Sequence, residues 1–435
     1  MDWRQVIGVI GLALLLLGVS TPFWAAVGVA RLLRRPRPAW ARGPAPDRSD
    51  VAVLVAAHDE ALVLRNTLRS AATQVLPSQV FVASDGSTDA TAEIARAFGA
   101  NVLELHPNRG KAGALAAAIE HFRLADRFEV VMLLDADTVL AADYLDTGLP
   151  MFSEADVVAV AGTAATRRDS RPSGLVGRVL LAYRERVYIV FQYLQKFGQA
   201  ARVADVVPIV PGFASMYRSR VLSQIEITAP GLTIEDFNMT FEVHAKRLGR
   251  IAFRPGSAVA YTQDPDTLRD YRRQIERWTL GFWQTIRRHR WRADRFWASL
   301  GVYVGELVVG SAAFVLLVPA IAVSSLAELS AQAGIDPVGG DAIREWLPVP
   351  VLLAGALLPD YALTVVGAVI ARRPALLLIG VLFPFVRLLD AVVCLEQMVA
   401  AARASSDGVW ASPTRRPLRL LEEEPSPVPA RSAAR

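Results

Sequence analysis

The sequence predicts an α/β domain that is built on a parallel, twisted sheet and flanked by membrane-spanning helices. Two observations lead to this fold class. Between residues 51 and 162, short apolar runs alternate with helical segments, which is the pattern of a parallel sheet with helices on both faces. On either side of this mixed region lie uncharged or nearly uncharged stretches, long enough to cross a bilayer.

The strands and helices of the domain follow from hydrophobic runs and their stop signals. An apolar run of four to eight residues that ends in polar or turn residues is typical of a buried strand. The predicted strands cover 51–57, 80–84, 102–105, 130–134 and 157–162. The predicted helices cover 90–98, which Gly99 ends, then 114–124 and 237–248. The domain as a whole is expected to span 50–290.

Residues 6–30 carry no charge and are followed by arginines at positions 31, 34, 35, 37 and 42. A signal peptide is the alternative, but this apolar core is too long for one and the arginines resemble a stop-transfer flank. We therefore expect a transmembrane anchor over 1–33. The positive-inside rule then places the following domain in the cytoplasm.

Three further apolar stretches, at about 299–323, 347–371 and 374–400, predict membrane helices over 297–401. The remaining segment, 402–435, contains much Pro, Glu and Ser and is expected to be disordered. Its arginines favour the cytoplasm, whereas the count of spans favours the outside, so the side of this tail stays open. A multi-pass protein of the cell (plasma) membrane is the expected location.

Charge and cysteine content exclude two classes of protein. The net charge is +5, and the excess arginines lie beside the apolar stretches, which favours contact with membrane lipids over nucleic acid. The single cysteine, Cys394, excludes a disulfide framework within the chain. With 53% hydrophobic residues and a mean hydropathy of +0.31, the chain is also unlike an ordinary soluble enzyme.

Acidic residues follow three of the predicted strands: Glu60, then Asp85, then Asp135 with Asp137. Each could be an ordinary helix cap or a solvated turn. Together, however, they meet at the carboxyl edge of the sheet, where α/β folds bind ligands. Asp135 and Asp137 can share a divalent cation and the diphosphate that it carries, and Lys111, between two glycines, can reach a phosphate.

Two later motifs add a base and an aromatic surface. Glu235 and Asp236 start a predicted helix, where the helix dipole alone would favour acids, but one of them could act as a general base. Gln274, Arg277 and Trp278 share one helix face because they lie at i, i+3 and i+4. Arginine can pair with a diphosphate and tryptophan can stack on a sugar ring, although an interfacial helix would show the same residues.

In this order the motifs Asp-Gly-Ser (85–87), Asp-Ala-Asp (135–137), Glu-Asp (235–236) and Gln-x-x-Arg-Trp (274–278) resemble the processive, membrane-bound members of glycosyltransferase family 2. That group includes synthases of cellulose, chitin, hyaluronan and poly-N-acetylglucosamine. The resemblance implies a cytoplasmic GT-A domain, which is a Rossmann-like fold that binds nucleotide sugars. It also implies a polysaccharide synthase that inverts the sugar linkage, with Mg2+ or Mn2+ as cofactor, a UDP-sugar as donor and a glycan or lipid-linked acceptor.

The resemblance also implies a role for each motif residue. Asp236 would be the general base, and Asp137 with Asp135 would bind the metal. The residues implied to bind substrate are Glu60, Asp85, Lys111, Asp135, Glu235, Gln274, Arg277 and Trp278. The chain departs from the family pattern at His58-Asp59-Glu60, where Tyr-Asn-Glu is usual, and at Ile234, where Thr is usual.

Several alternatives stay open at this point. Glu306, Asp360, Arg387 and Asp390 lie inside apolar stretches, where they could line a path for the glycan or form ion bridges between helices. The amphipathic segments 174–200 and 279–295 are expected to lie along the cytoplasmic face. A non-processive enzyme that adds one sugar to a lipid shares the fold, and an inactive transporter or structural protein is the remaining class. The sugar, the linkage and the polymer length cannot be read from the sequence.

Overall fold

The computed structural model describes residues 3–33, 43–167, 172, 174–335 and 338–403. The strands are β1 (Val51–Ala57), β2 (Val80–Asp85), β3 (Asn101–Leu105), β4 (Val130–Asp135), β5 (Val139–Leu140), β6 (Val157–Ala161), β7 (Thr163–Thr166), β8 (Ala214–Arg218), β9 (Arg250–Ala252) and β10 (Val259–Thr262). The helices are α1 (Trp3–Leu17), α2 (Ser20–Leu33), α3 (Leu64–Ala72), α4 (Thr91–Phe98), α5 (Gly110–His121), α6 (Leu124–Arg127), α7 (Tyr144–Gly148), α8 (Gly174–Ile189), α9 (Phe197–Gln199), α10 (Ser219–Leu222), α11 (Asp236–Ala245), α12 (Leu268–Arg288), α13 (Arg295–Gln332), α14 (Gly340–Trp346), α15 (Val349–Ala371), α16 (Ala375–Ile379) and α17 (Phe383–Ala401). The arginines at 34–42 and all but two residues of the predicted tail lie outside the described residues.

The main sheet has seven strands in the order β3-β2-β1-β4-β8-β6-β9. Its first four strands are parallel, and β1 is buried along its whole length, as expected for a strand covered by helices on both faces. Helices α3 and α4 contribute to the apolar cluster on one face, whereas α5 and α11 contribute to the cluster on the other. The predicted α/β class is therefore confirmed.

The sheet is mixed rather than wholly parallel, because β8 runs antiparallel to both β4 and β6. Ala214 pairs with Leu134, so β8 begins where β4 ends. The loop that precedes β8 is thereby brought to the carboxyl edge of β4, and the amide N–H of Asp135 donates to the carbonyl of Phe213 at 3.2 Å. A parallel strand at this position would have placed that loop at the opposite edge.

The segment of the predicted anchor is two helices, not one. Helices α1 and α2 meet at an angle of 77°, and Gly18 between them has a φ of 73°. Glu306 on α13 accepts hydrogen bonds from the backbone N–H groups of Val19 at 2.7 Å and Ser20 at 2.9 Å. Its carboxylate therefore satisfies the amides that the break exposes. The bent pair is either a broken span or a re-entrant loop, and a single transmembrane anchor stays a prediction.

Within the described part of the chain, three later helical segments are long and apolar enough to cross a membrane: Arg295–Gln332, Gly340–Ala371 and Ala375–Ala401. The bent pair of α1 and α2 would be a fourth span if it counts as one. They correspond to the three stretches expected from the sequence. The first ten residues of the segment 279–295 complete α12, and its position along the cytoplasmic face stays a prediction. The segment 174–200 does form helix, with a π-helical part at Val190–Lys196 between α8 and α9.

Candidate active site

The ends of the parallel strands bring the predicted acids to one edge of the sheet. Ala57 of β1 pairs with Ser84 of β2, and Ala56 pairs with Asp135 of β4, so the residues after each strand enter the same crevice. Glu60 lies just beyond β1, fully buried, and its backbone N–H donates to the hydroxyl of Thr91 at 2.9 Å. Its carbonyl accepts hydrogen bonds from the N–H groups of Val63 and Leu64 and so supports the turn between β1 and α3; its role in substrate binding stays a prediction.

Asp85 ends β2 with its carboxylate buried. One oxygen, Oδ1, accepts a hydrogen bond from the backbone N–H of Arg109 at 2.8 Å, and the other, Oδ2, has no partner in the described part of the chain. Burial raises the pKa of Asp85, although the backbone donors at Arg109 and Gly110 oppose this. A buried acceptor without a partner is costly in a finished core, so Oδ2 is available to a ligand donor.

Lys111 is the centre of the site. It lies in the first turn of α5, whereas the sequence placed it in the loop before a helix that was predicted to begin at residue 114. Its Nζ is 2.7 Å from Oδ1 of Asp135 and 2.8 Å from Oε1 of Glu235. Burial alone would lower the pKa of Lys111, but the two carboxylates outweigh it and raise that pKa. One ammonium thus joins the strand-end acids to the acids at the start of α11.

Asp135 and Asp137 lie on either side of Ala136, whose carbonyl accepts a hydrogen bond from the Thr67 hydroxyl at 2.7 Å. Burial raises the pKa of Asp135, Lys111 lowers it and the charge of Asp137 raises it further. Among the described residues no three acidic, histidine or cysteine side chains form a metal cluster. The two carboxylates are hard oxygen ligands that suit Mg2+ or Mn2+, but such an ion would need further oxygens from the diphosphate of a donor.

Gly212, just before β8, allows these groups to approach one another closely. A Cβ at this position would lie 3.1 Å from Lys111 Nζ and 3.2 Å from both Asp236 Cβ and Glu235 Oε1. The Gly212 carbonyl also lies 3.5 Å from Lys111 Nζ, and its N–H donates to Asp236 Oδ2 at 3.3 Å. A side chain here would therefore require the lysine and both acids to shift by a few tenths of an ångström.

The neighbouring acids Glu235 and Asp236 have opposite ionisation behaviour. Burial would raise the pKa of Glu235, but Lys111 and, more weakly, Arg277 bring it below its ordinary value. Burial and the charge of Glu235 raise the pKa of Asp236 to about 6. Paired acids whose environments separate their pKa values in this way are typical of distinct catalytic roles. Here Glu235 is a fixed anion, and Asp236 can accept a proton near neutral pH.

Helix α12 is docked tightly against the segment that carries these acids. A Cβ on Gly281 would overlap the side chain of Ile234, and Gln284 accepts hydrogen bonds from both the N–H and the hydroxyl of Thr233 at 2.9 Å. This close packing brings Arg277 near enough to Glu235 to lower its pKa. Arg277 is an exposed residue and therefore accessible to an anionic ligand.

Gln274 and Trp278 face a different partner, which the sequence analysis missed. Arg184 on α8 donates to Gln274 Oε1 at 2.7 Å, and its guanidinium carbon lies 4.2 Å from the centroid of the Trp278 ring. No motif surrounds Arg184, but Arg184, Glu185 and Arg186 are three consecutive charged residues, and all are buried. Such a run in a helix with only one other charged residue, Arg178, is the sequence signal that could have identified it.

A cavity of about 260 Å3 lies among the membrane helices. Its polar lining residues are Tyr183, Gln195, Tyr303, Glu306, Ser311, Arg387 and Asp390. Asp390 accepts hydrogen bonds from the hydroxyls of Tyr183 and Tyr271, each at 2.8 Å. The intramembrane charges thus contact both the cavity and the helices of the catalytic domain.

The family model described as glycosyltransferase-like family 2 matches residues 46–281. This match covers more than half of the chain, and the chain therefore belongs to glycosyltransferase-like family 2. The matched region begins just before β1 and ends within α12, so it contains every strand-end acid described above as well as the Gln-x-x-Arg-Trp motif.

Among its relatives are poly-beta-1,6-N-acetyl-D-glucosamine synthases. The one from Staphylococcus epidermidis is 26% identical over 259 residues, which cover 54% of this chain and 57% of the relative. That of Staphylococcus aureus (strain COL) is 24% identical over 240 residues, or 53% of this chain and 54% of the relative. The chain therefore spans little more than half the length of the curated relatives it matches.

A solved structure agrees with the fold. The mannosyltransferase PcManGT from Pyrobaculum calidifontis, in complex with GDP-Man and Mn2+, superposes with a TM-score of 0.51 at 20% identity and covers 82% of this chain and 98% of its own. This likeness confirms the predicted GT-A domain. At that level of identity it carries no information about the donor or acceptor of the present chain.

Proposed function

We propose that this protein is a membrane-embedded, inverting glycosyltransferase that extends a β-linked polysaccharide with sugar from a nucleotide-sugar donor, in the first place a UDP-sugar. The observation that carries the proposal is the Lys111–Asp135–Glu235 cluster with Asp236 directly beside it. Glycosyl transfer needs a cation for the diphosphate, carboxylates that hold this cation in place and a separate base for the acceptor hydroxyl. Lys111, its two acidic partners and Asp236 can supply these groups at the carboxyl edge of the sheet. The N-acetylglucosamine polymer synthases among the relatives support the same assignment.

Donor binding is assigned to the crevice between β1, β2 and β4. The unpartnered Oδ2 of Asp85 would accept a hydrogen bond from the nucleotide base, and Glu60 would support the turn beneath it. Lys111 and Arg277 would bind the diphosphate as cations. Asp135 and Asp137 would hold Mg2+ or Mn2+, and the bound ion supplies charge stabilisation for the leaving diphosphate.

Transfer itself is assigned to Asp236. Its carboxylate takes the proton of the acceptor hydroxyl while that oxygen forms the new bond to the anomeric carbon. The bond from this carbon to the diphosphate oxygen breaks, and its electron pair leaves with the nucleoside diphosphate. Because the acceptor oxygen attacks the anomeric carbon from the side opposite the leaving group, the configuration of that carbon is inverted once. An α-linked donor therefore gives a β-linked product. Lys111 and Arg277 offset the negative charge that develops on the leaving oxygens.

The acceptor chain is assigned to Gln274 and Trp278, one helical turn apart on α12. The indole can stack on a sugar ring, and the amide can donate to hydroxyl groups. Because α12 is linked to the membrane helices through the Tyr271–Asp390 hydrogen bond, the growing chain would lie next to the membrane cavity. We propose that this cavity receives the product, and that the catalytic domain lies on the cytoplasmic face of a multi-pass plasma-membrane protein.

The test is a panel of radiolabelled nucleotide sugars incubated with membranes that contain the protein, followed by sizing of the product. We expect a high-molecular-weight polymer from one UDP-sugar. Membranes that contain the Asp236→Asn variant are the blank, because they give the background without transfer. A lipid that carries a single sugar would instead identify a non-processive enzyme. If no donor in the panel is consumed above the blank, the assigned activity is wrong.

A further inference from the structure

Arg184 is a buried cation in contact with two of the three motif residues on α12. It is 2% exposed, and its charge is matched by Asp264, whose carboxylate is 3.5 Å away and also buried. The burial of a guanidinium is costly unless it is paired and hydrogen-bonded. Packing alone does not explain why a charged arginine is buried at this position, in contact with Gln274 and Trp278.

We propose that Arg184 is a positioning residue, which fixes the Gln274 amide and the Trp278 ring in the geometry that binds the acceptor sugar. This inference rests on the proposed function, because it assigns Gln274 and Trp278 to the acceptor. Arg184 itself does not touch the acceptor. It acts by restricting two side chains that would otherwise be free to rotate.

The contacts use the two different surfaces of a guanidinium. Its N–H groups donate in the plane of the group, to Gln274 Oε1 at 2.7 Å and towards Asp264. Its central carbon lies over the Trp278 ring, 4.2 Å from the ring centroid. A guanidinium can only donate, so the amide oxygen of Gln274 must be the atom that faces it. The Gln274 NH2 group is thereby left for acceptor hydroxyls.

Lysine could not replace these contacts. An ammonium is a compact point charge that has no planar face to stack on an indole while it donates sideways to an amide. Arg184→Lys therefore keeps the charge and the pairing with Asp264 but loses the combined fixation of Gln274 and Trp278. We expect the acceptor KM to rise by about tenfold or more, since misplaced binding groups cost orders of magnitude, while the affinity for UDP stays within about twofold.

Arg186 provides the matched control. It lies two residues further along α8 in the same buried run of charged residues and is 4% exposed. It pairs with Asp360 on α15 at 2.7 Å, and among the described residues none of its hydrogen bonds or ion pairs reaches α12. Arg186→Lys makes the same chemical change on the same helix. If the effect of Arg184→Lys came only from a destabilised α8, the two variants would behave alike.

The decisive experiment is a double-mutant cycle on purified, full-length protein in proteoliposomes. It combines Arg184→Lys or Arg186→Lys with the paired change Gln274→Ala plus Trp278→Ala, which removes both side chains that Arg184 contacts, and measures UDP affinity and transfer to a short oligosaccharide of the product. If Arg184 acts through these two side chains, Arg184→Lys should cost about tenfold in the wild-type background and less than about twofold in the doubly substituted background. Arg186→Lys should change transfer by the same factor in both.

Equal losses from Arg184→Lys in the two backgrounds would overturn the inference while leaving the proposed function intact. The absence of donor turnover by the wild-type protein would overturn both. If Arg184→Lys does not insert into membranes, Asp264→Asn is used in the same cycle, because it releases the guanidinium from its partner without a change on α12. Additive losses there would likewise refute the positioning role.

Discussion

The opposite pKa shifts of Glu235 and Asp236 lead to a quantitative prediction for the pH dependence of transfer. Asp236 has a pKa of about 6 because of burial and the adjacent negative charge of Glu235. A general base is active only when deprotonated, so kcat/KM should fall as the pH falls through 6. Between pH 7 and pH 5, the deprotonated fraction of such a group decreases by about tenfold.

Replacement of the neighbouring acid tests the cause of this shift. Glu235→Gln removes the charge that raises the pKa of Asp236, so the acid limb of the profile should move to lower pH. The same variant loses one of the two partners of Lys111, so weaker donor binding should accompany the shift. At pH 7 and above, where Asp236 is deprotonated, Asp236→Asn should retain donor binding and lose transfer by about two to four orders of magnitude.

The assay is the initial rate of nucleoside diphosphate release at limiting substrate, from pH 5 to pH 9, with the folded state of each variant checked by its elution in detergent. An unchanged acid limb in Glu235→Gln would show that Glu235 does not control the titrating group. Near-normal transfer by Asp236→Asn would show that another group removes the proton, even though the family assignment would stand.

Three further predictions concern the metal, the acceptor and the spacing of the cluster. Asp137→Asn should abolish transfer in a protein that still folds and inserts, and excess chelator should do the same to the wild type; normal turnover in either case would contradict the metal site. Trp278→Ala should lose polymer synthesis far more than UDP affinity, whereas equal losses would make α12 merely structural. Gly212→Ala should reduce transfer by at least about tenfold, because its Cβ would displace Lys111 and both acids. Gly43→Ala is the control for this change, since a Cβ there meets only an ordinary 3.5 Å contact, and equal activity of the two variants would refute the crowding argument.

The sequence was sufficient for the parts of the site that depend on local pattern. Parallel strands align their carboxyl ends, so the apolar runs before Asp85 and Asp135 predicted that these acids would share an edge. The i, i+4 spacing likewise placed Gln274 and Trp278 on one face of a helix. Both expectations follow from strand and helix geometry alone, and the structure has both arrangements.

Features set by contacts between distant segments could not be read in this way. The break after Gly18 depends on Glu306, which is 287 residues further along the chain than Val19. The antiparallel entry of β8, which delivers Gly212 to the site, depends on pairing with β4. Arg184 contacts Gln274 across 90 residues, and the run of charged residues at 184–186 marks this part of α8 as unusual but does not show which helix Arg184 contacts.

The intramembrane charges illustrate why the two explanations offered by the sequence do not exclude each other. Asp360 does form ion bridges, to Arg186 at 2.7 Å and to Arg387 at 3.3 Å. Asp390 instead lines the cavity and accepts hydrogen bonds from Tyr183 and Tyr271.

Tyr183 precedes Arg184 on α8, and Tyr271 precedes Gln274 by one turn on α12. The carboxylate of Asp390 therefore joins, at the cavity, the same two helices that Arg184 joins at Gln274 and Trp278. Two contacts between these helices hold Gln274 and Trp278 at a set distance from the cavity, which is the arrangement that the proposed function requires if a chain extended at Asp236 is to enter the membrane from that side.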